Sequence, residues 1–152
     1  MAGTLVGSVK SALFDAFTGL FPAPTLVSYG DPGEYQPNEI IAVMGSVVPV
    51  SRPTASTNRS REEGAETTVI VSVYVPGGQE AQQTATERAY AMVGQMSDYF
   101  RAAFNARLGG AAYDSWISEY DDVPSVAVDP ATGNATGRVC EITVKILSKS
   151  RP

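Results

Sequence analysis

Acidic residues gathered in one short stretch are the best candidates for chemistry in this sequence. Glu119, Asp121 and Asp122 stand beside Tyr120, and Asp129 follows a few residues later. Carboxylates at this density could ligate a hard cation or do acid–base work in a small enzyme or ligand-binding domain. The stretch lacks the alternating oxygen ligands and the central glycine of a calcium loop. A solvated acidic edge is the favoured interpretation, with the enzyme or ligand-binding domain as the alternative.

The composition removes the most familiar catalytic and metal-binding arrangements. The 152 residues include no histidine, so the commonest general base, the commonest metal ligand and any Ser-His triad are absent. A Ser-Lys pair stays open, although no motif supports one. Gly77 and Gly78 lack the further residues of a phosphate loop, so a plain turn is predicted there. We expect no enzyme, no catalytic residue, no cofactor and no metal site.

Charge and cysteine content narrow the class of protein further. The net charge of −5 argues against a nucleic-acid binder held by phosphate contacts, but it would let DNA slide past a surface without sticking. The single cysteine, Cys140, excludes an intrachain disulfide, and its apolar neighbours predict a buried structural thiol. No cleavable signal pattern and no run of about 18 apolar residues is present, so we expect neither secretion by a signal peptide nor a membrane partner.

A long amphipathic helix, predicted over Gln79–Leu108, is the element around which the others are arranged. Apolar residues recur at steps of three and four, which places them on one helical face. These residues are Ala85, Ala89, Met92, Val93, Met96, Phe100, Ala103 and Phe104. Thr84 and Glu87 could form a capping box if the helix starts late, and Gly109-Gly110 predicts its end. An apolar face of this length needs a sheet to pack on.

The remaining patterns predict a first helix and about five strands. The helix is predicted over Thr4–Leu20, and the strands over Thr25–Tyr29, Glu39–Ser51, Glu66–Val75, Tyr113–Tyr120 and Arg138–Ser148. Gly45 is predicted to mark a bulge, and Asp121–Pro124 to interrupt the fourth strand before it resumes at Val126–Val128. Trp116 and Tyr120 are predicted on one face of that strand. The fold class is α+β, a single domain over residues 1–152 with a mixed, mostly antiparallel sheet covered by two helices.

A polar segment, Arg52–Ala65, is predicted to be the extended tip of a β-hairpin. It contains almost no apolar residue and separates two strand patterns. Loops of this length in a compact domain are usually functional or disordered, so both a solvated tip and a contact surface are considered. The candidate interaction residues are the charged ones, Arg52, Arg59, Arg61, Glu62 and Glu63.

The order and character of these elements resemble the tail terminator family of long-tailed bacteriophages. The features are the first helix, the strand end at Val27–Pro32, the strand in Pro37–Val43, the polar hairpin, the Thr67–Val75 strand, the long Glu80–Leu108 helix and two closing strands. The resemblance covers nearly the whole chain and rests on no catalytic motif. It extends equally to neighbouring tail-completion proteins.

The resemblance implies a structural virion protein at the head-proximal end of the tail, assembled in the host cytoplasm. Members of the family form hexameric rings that cap the tail tube, stop its growth and present a surface to the head. The implied partners are copies of the same chain, the tail tube protein and a head-completion or connector protein. DNA would pass through the ring without specific binding.

Overall fold

Five strands form one mixed sheet, and helices cover one of its faces. The computed structural model describes residues 6–33, 37–48 and 63–150, with only the backbone of Glu63 and Ser150. In chain order the elements are α1 (Val6–Leu20), β1 (Leu26–Tyr29), β2 (Glu39–Val47), β3 (Glu63–Pro76), α2 (Gln79–Arg101), α3 (Ala103–Ala106), a 3-10 turn (Leu108–Gly110), β4 (Asp114–Val128) and β5 (Ala135–Ser150). The predicted α+β class is confirmed.

The sheet has the strand order β1-β2-β3-β5-β4. β1 and β2 are parallel, and every other neighbouring pair is antiparallel. The connection from β1 to β2 brings Asp31 and Pro32 to the sheet face opposite the helices, where they line a cavity of about 190 Å³ with Ile40 and Met44. We call the sheet face opposite the helices the outer face, and the face that the helices cover the inner face. β4 forms one edge of the sheet and β1 forms the other.

The core lies between the inner face of the sheet and the two long helices. α1 packs on β1 and β2, whereas α2 packs on β3 and β5. The predicted alternation of β3 is confirmed, since Val69, Val71 and Val73 are buried. The predicted apolar stripe of α2 is buried from Ala85 to Phe100, and the other buried members of the core include Val9, Leu13, Phe17, Cys140, Ile142, Val144 and Ile146.

The long helix ends earlier than predicted. α2 stops at Arg101, because the backbone of Ala102 is extended (φ −79°, ψ 123°). The Asn105 side-chain amide donates to the Tyr99 carbonyl at 3.0 Å, which satisfies a group that a continuing helix would have paired internally. Phe104 and Ala103 were predicted on the buried face, but both are exposed, and Phe104 is 84% exposed. Leu108 packs in the core instead.

α2 begins at Gln79, as predicted, and not at the later start that was considered near Thr84. Gly78 is its N-cap residue, so the helix begins five residues before Thr84. The Thr84 hydroxyl donates to the Glu80 carbonyl inside the helix, so the considered capping box with Glu87 is not formed.

β4 is continuous where an interruption was predicted. Pro124 lies inside it, opposite Cys140. β4 is an edge strand, and proline is tolerated in edge strands because its missing N–H need not interrupt a ladder on both sides. A register shift between Ile117 and Glu119 reverses the alternation, so Tyr120 joins Ile117 on the inner face while Trp116 stays on the outer face. The prediction that Trp116 and Tyr120 share a face is therefore wrong.

The predicted hairpin of β2 and β3 is confirmed, and its bounds are corrected. The strands pair antiparallel from Glu39 opposite Val73 to Val47 opposite Glu66, with the predicted bulge near Gly45. β3 begins at Glu63, so the last three residues of the predicted tip are strand, and Ala65 is buried. β5 also extends beyond its predicted bounds at both ends.

Candidate subunit interface

The charged tip predicted as an interaction site falls mostly outside the described residues. Arg52, Arg59, Arg61 and Glu62 all lie there, in the segment between β2 and β3. Glu63 is the first residue of β3, and its backbone pairs opposite Ser150. The contact role of these five residues stays a prediction.

The acidic stretch does not form one site, because strand alternation divides it between the two faces of the sheet. Glu119 and Asp121 lie opposite Lys145 and Thr143 on the outer face. Tyr120 and Asp122 lie opposite Val144 and Ile142 on the inner face. Within the described residues, no group of three or more His, Cys, Asp or Glu side chains is arranged to hold a metal ion.

Two pairs of polar side chains in this region, Tyr90 with Asp122 and Lys145 with Glu119, are engaged with each other. The Tyr90 hydroxyl donates to Asp122 Oδ1 at 2.6 Å, and this hydrogen bond raises the pKa of Tyr90 to about 12. Tyr90 therefore stays protonated at neutral pH and makes a poor general base. Lys145 Nζ lies 3.1 Å from Glu119 Oε1, and the hydrogen bond between them raises the pKa of Lys145. Lys145 consequently keeps its charge and does not supply the neutral amine of a Ser-Lys pair.

Cys140 is not poised for chemistry. Its side chain is fully buried on the inner face of the sheet, as predicted. Burial raises the pKa of the thiol, which disfavours the reactive thiolate.

A groove of about 300 Å³ separates α2 from β4. It is lined chiefly by Tyr90, Val93, Gly94, Ile117 and Tyr120. A Cβ atom built on Gly94 would meet nothing within 4 Å, so this glycine leaves open space in the middle of a helix. Tyr120 is the one acidic-stretch residue that reaches the groove lining, so the predicted carboxylates do not converge there.

Among the residues that the structure describes, the most conspicuous surface feature is the edge of β4, which pairs with no further strand there. This strand has 15 residues and would span about 50 Å at the usual rise per residue. Four large side chains along it, those of Tyr120, Val123, Val126 and Val128, are each between 45% and 57% exposed. Non-specific pairing of this edge with another strand is disfavoured by the bulge near Ser118, by Pro124 and by the acidic residues. A defined partner could still cover the exposed valines.

A second exposed apolar feature lies just after α2. Phe104 is 84% exposed on α3, with the exposed residues Arg101 and Arg107 on either side in the sequence. Sequence reasoning missed this surface because Phe104 follows Phe100 by four residues, which is the spacing of a continuing buried stripe. No local signal at Ala102 marks the end of the helix.

No family model and no curated protein matches this sequence. None of the described helices is long and apolar enough to cross a membrane.

Proposed function

We propose that this protein is a bacteriophage tail terminator, or a closely related tail-completion protein, that assembles as a ring on the end of the tail tube. The ring stops growth of the tube and provides the surface to which the head joins. Its partners are other copies of the chain, most simply six in a ring, together with the tube protein and a connector protein of the head. The observation that carries the proposal is the long free edge of β4 with its four exposed apolar side chains.

The edge of β4 has the properties that a subunit contact in a ring requires. A closed ring needs each subunit to present two different patches, one for each neighbour. An unpaired edge strand offers backbone groups and alternating side chains to such a neighbour. Contiguous exposed apolar surface on a soluble protein commonly marks an interaction site. In a ring, several modest contacts to the tube act together, so each of them can be weak.

The charge of the chain suits passage of DNA. The net charge of −5 leaves no general excess of cations to hold phosphates. A ring lumen with this balance would let DNA slide through. Of the acidic residues considered for catalysis, Glu119 pairs with Lys145 on the neighbouring strand and Asp122 accepts a hydrogen bond from Tyr90 of α2. These contacts do not favour the alternative of an enzyme or ligand-binding domain.

Deletion of the gene from the phage that encodes this protein tests the proposed function. We expect tail tubes of uncontrolled length that do not join heads, measured by electron microscopy of lysates. Supplying the wild-type protein from a plasmid should restore the normal length and the joined particles. Tails of normal length joined to heads in the absence of the protein would rule out the terminator role.

A further inference from the structure

We propose that the end of one copy that carries Phe104 binds the far half of β4 in a second copy, so that the subunits associate head to tail. The first surface, which we call the Phe104 end, consists of Arg101, Phe104 and Arg107. The second, which we call distal β4, consists of Asp121–Val128. The inference rests on the proposed function, because it names the two surfaces with which the ring would be built.

The Phe104 end has the composition of an interface anchor. An aromatic side chain that is 84% exposed gains much from burial against a partner. Arginine and aromatic residues are also enriched among the side chains that dominate binding energy. Arg101 NH1 lies 3.1 Å from Asp98 Oδ1, but both side chains are at least 70% exposed. An exposed pair of this kind contributes little to stability, so Arg101 is able to exchange Asp98 for a partner's carboxylate.

Distal β4 complements this end in both polarity and charge. Its exposed valines, Val123, Val126 and Val128, offer apolar surface along the free edge. Val123 lies on the outer face and Val126 on the inner face, so a partner that straddles the edge meets both. Asp121 is exposed beside them, and Asp129 directly follows the strand. The two arginines of the Phe104 end would therefore meet carboxylates.

The register of the sheet places Phe104 near the start of β4 and the valines of distal β4 toward the other end of that strand. Asp114, at the start of β4, lies opposite Lys149, at the same end of the sheet as the beginning of β3. α2 starts near the other end, just after Pro76, and runs back along the sheet, so Phe104 lies near the start of β4. Val123 and Val128 are about 30 and 50 Å along the strand from Asp114. Phe104 therefore reaches Val126 and Val128 only in another copy.

The first test measures self-association of the full chain after substitution of the apolar residue Phe104. In sedimentation velocity over a concentration series, Phe104→Ser should weaken association by about 30-fold or more, as expected for an interface anchor. Phe104→Trp should keep association within about threefold of wild type, because it retains an aromatic anchor. The matched control is Val47→Ser, since Val47 is a 64% exposed valine on β2 outside both surfaces. It should leave association unchanged.

A charge exchange provides the second, independent arm. Arg107→Glu and Asp121→Arg should each weaken association by about fivefold to tenfold, because each places like charges together. The double variant should return to within about threefold of wild type. Asp15→Arg, on the exposed side of α1, is the control for net charge. The five substituted residues, Asp15, Val47, Phe104, Arg107 and Asp121, are at the surface. Far-UV circular dichroism at a concentration at which the chain is monomeric will show that the variants remain folded, because association itself would change the melting temperature.

Each outcome decides the inference separately from the proposed function. Association that survives both Phe104→Ser and Asp121→Arg would overturn the inference, and so would a wild-type chain that stays monomeric both in solution and on isolated tail tubes. A dimer that depends on both surfaces would support the contact but count against a ring. The terminator role itself stands or falls on tail length in the deletion experiment.

Discussion

Two phenylalanines four residues apart show how local backbone geometry decides the fate of a side chain. Phe100 is 7% exposed and makes edge-to-face contacts with Phe17 and Tyr99, with ring centroids 6.4 and 5.4 Å away. Phe104 would join it if the helix continued, but the extended backbone of Ala102 turns it to the surface. The same residue type therefore stabilises the core at one position and is available for binding at the other.

Substituting each phenylalanine by alanine measures this difference. Phe100→Ala should lower the free energy of unfolding by about 3–5 kcal/mol, because it removes a buried ring and leaves a cavity. Phe104→Ala should change it by less than about 0.5 kcal/mol, as at other exposed positions. Urea denaturation followed by circular dichroism gives both values. A loss below about 1 kcal/mol for Phe100→Ala would show that this face of α2 is misassigned.

The ion pair between Arg88 and Glu39 links the middle of α2 to the start of β2. Arg88 donates from Nε and NH2 to the two carboxylate oxygens at 2.8 and 3.1 Å, and the Thr25 hydroxyl donates to the same group at 2.9 Å. The hydrogen bonds from Arg88 hold the pKa of Glu39 below its ordinary value of 4.5. The charged form of Glu39 is consequently favoured in the folded state.

The depressed pKa of Glu39 predicts a pH dependence of stability. The contribution is fully present above the ordinary value and is lost as the pH falls through the lower pKa of the folded state. Wild type should therefore lose more stability between about pH 5 and pH 3 than Glu39→Gln does, by no more than about 1 kcal/mol because the pair is partly exposed. Arg88→Met should abolish the difference. Thermal melting at several pH values measures it, and identical acid profiles would contradict the assignment.

Two glycines, one beside open space and one in close contact with its neighbours, allow the packing of α2 and β5 to be tested. Gly94 stands in the middle of α2, where its missing side chain leaves the groove beside β4 open. Gly137 stands in β5, where an added Cβ would lie 2.5 Å from the Val75 carbonyl and 2.7 Å from the Tyr74 ring. One site tolerates a methyl group and the other does not.

Alanine at these two positions should change stability in opposite directions. Gly94→Ala should stabilise the fold by about 0.5–1 kcal/mol, because alanine is the better helix former and meets no neighbour. Gly137→Ala should destabilise it by about 1–3 kcal/mol through overpacking. Thermal and urea unfolding of the pair serve as each other's control. A destabilised Gly94→Ala would mean that the groove is filled in the folded chain.

Helices and strands with a regular repeat of apolar residues could be predicted from the sequence. The places where a bulge or a helix end shifts that repeat could not. The alternating valines of β3 and the stripe of α2 identified their buried faces, because each pattern repeats through consecutive residues. The bulge near Ser118 inserts one residue into β4, and no residue type there announces it. The sequence therefore placed Tyr120 on the wrong face. Pro124 predicted an interruption because proline is tolerated inside a strand only at a sheet edge. Whether β4 is an edge strand depends on the order of all five strands, which local sequence does not show.

The candidate surfaces could be predicted only in part, because their exposure depends on strand register, strand order and the end of a helix. The acidic stretch was found from composition, but its division between two faces depends on the register with β5. The exposure of Phe104 depends on a single extended residue, Ala102. The free edge of β4 follows from the order of all five strands, and neighbouring residues carry no information about it.

At the scale of the whole molecule, the fold has two ends of different character. One end presents an exposed phenylalanine between arginines, and the far half of β4 presents valines between aspartates. Surfaces that differ in this way fit a head-to-tail arrangement, which closes into a ring if the rotation between neighbours is suitable. A ring would let small contacts at each subunit add up on the tail tube.

The proposed function requires that copies of this chain form a closed ring on the end of a tail tube. Electron microscopy of isolated tail tubes incubated with the purified protein tests it most directly, combined with native mass measurement of the assembly released from them. We expect a closed ring at one end of each tube, with six chains of 16.0 kDa giving about 96 kDa. Tube ends that stay bare, or that carry single chains of 16.0 kDa, would contradict it.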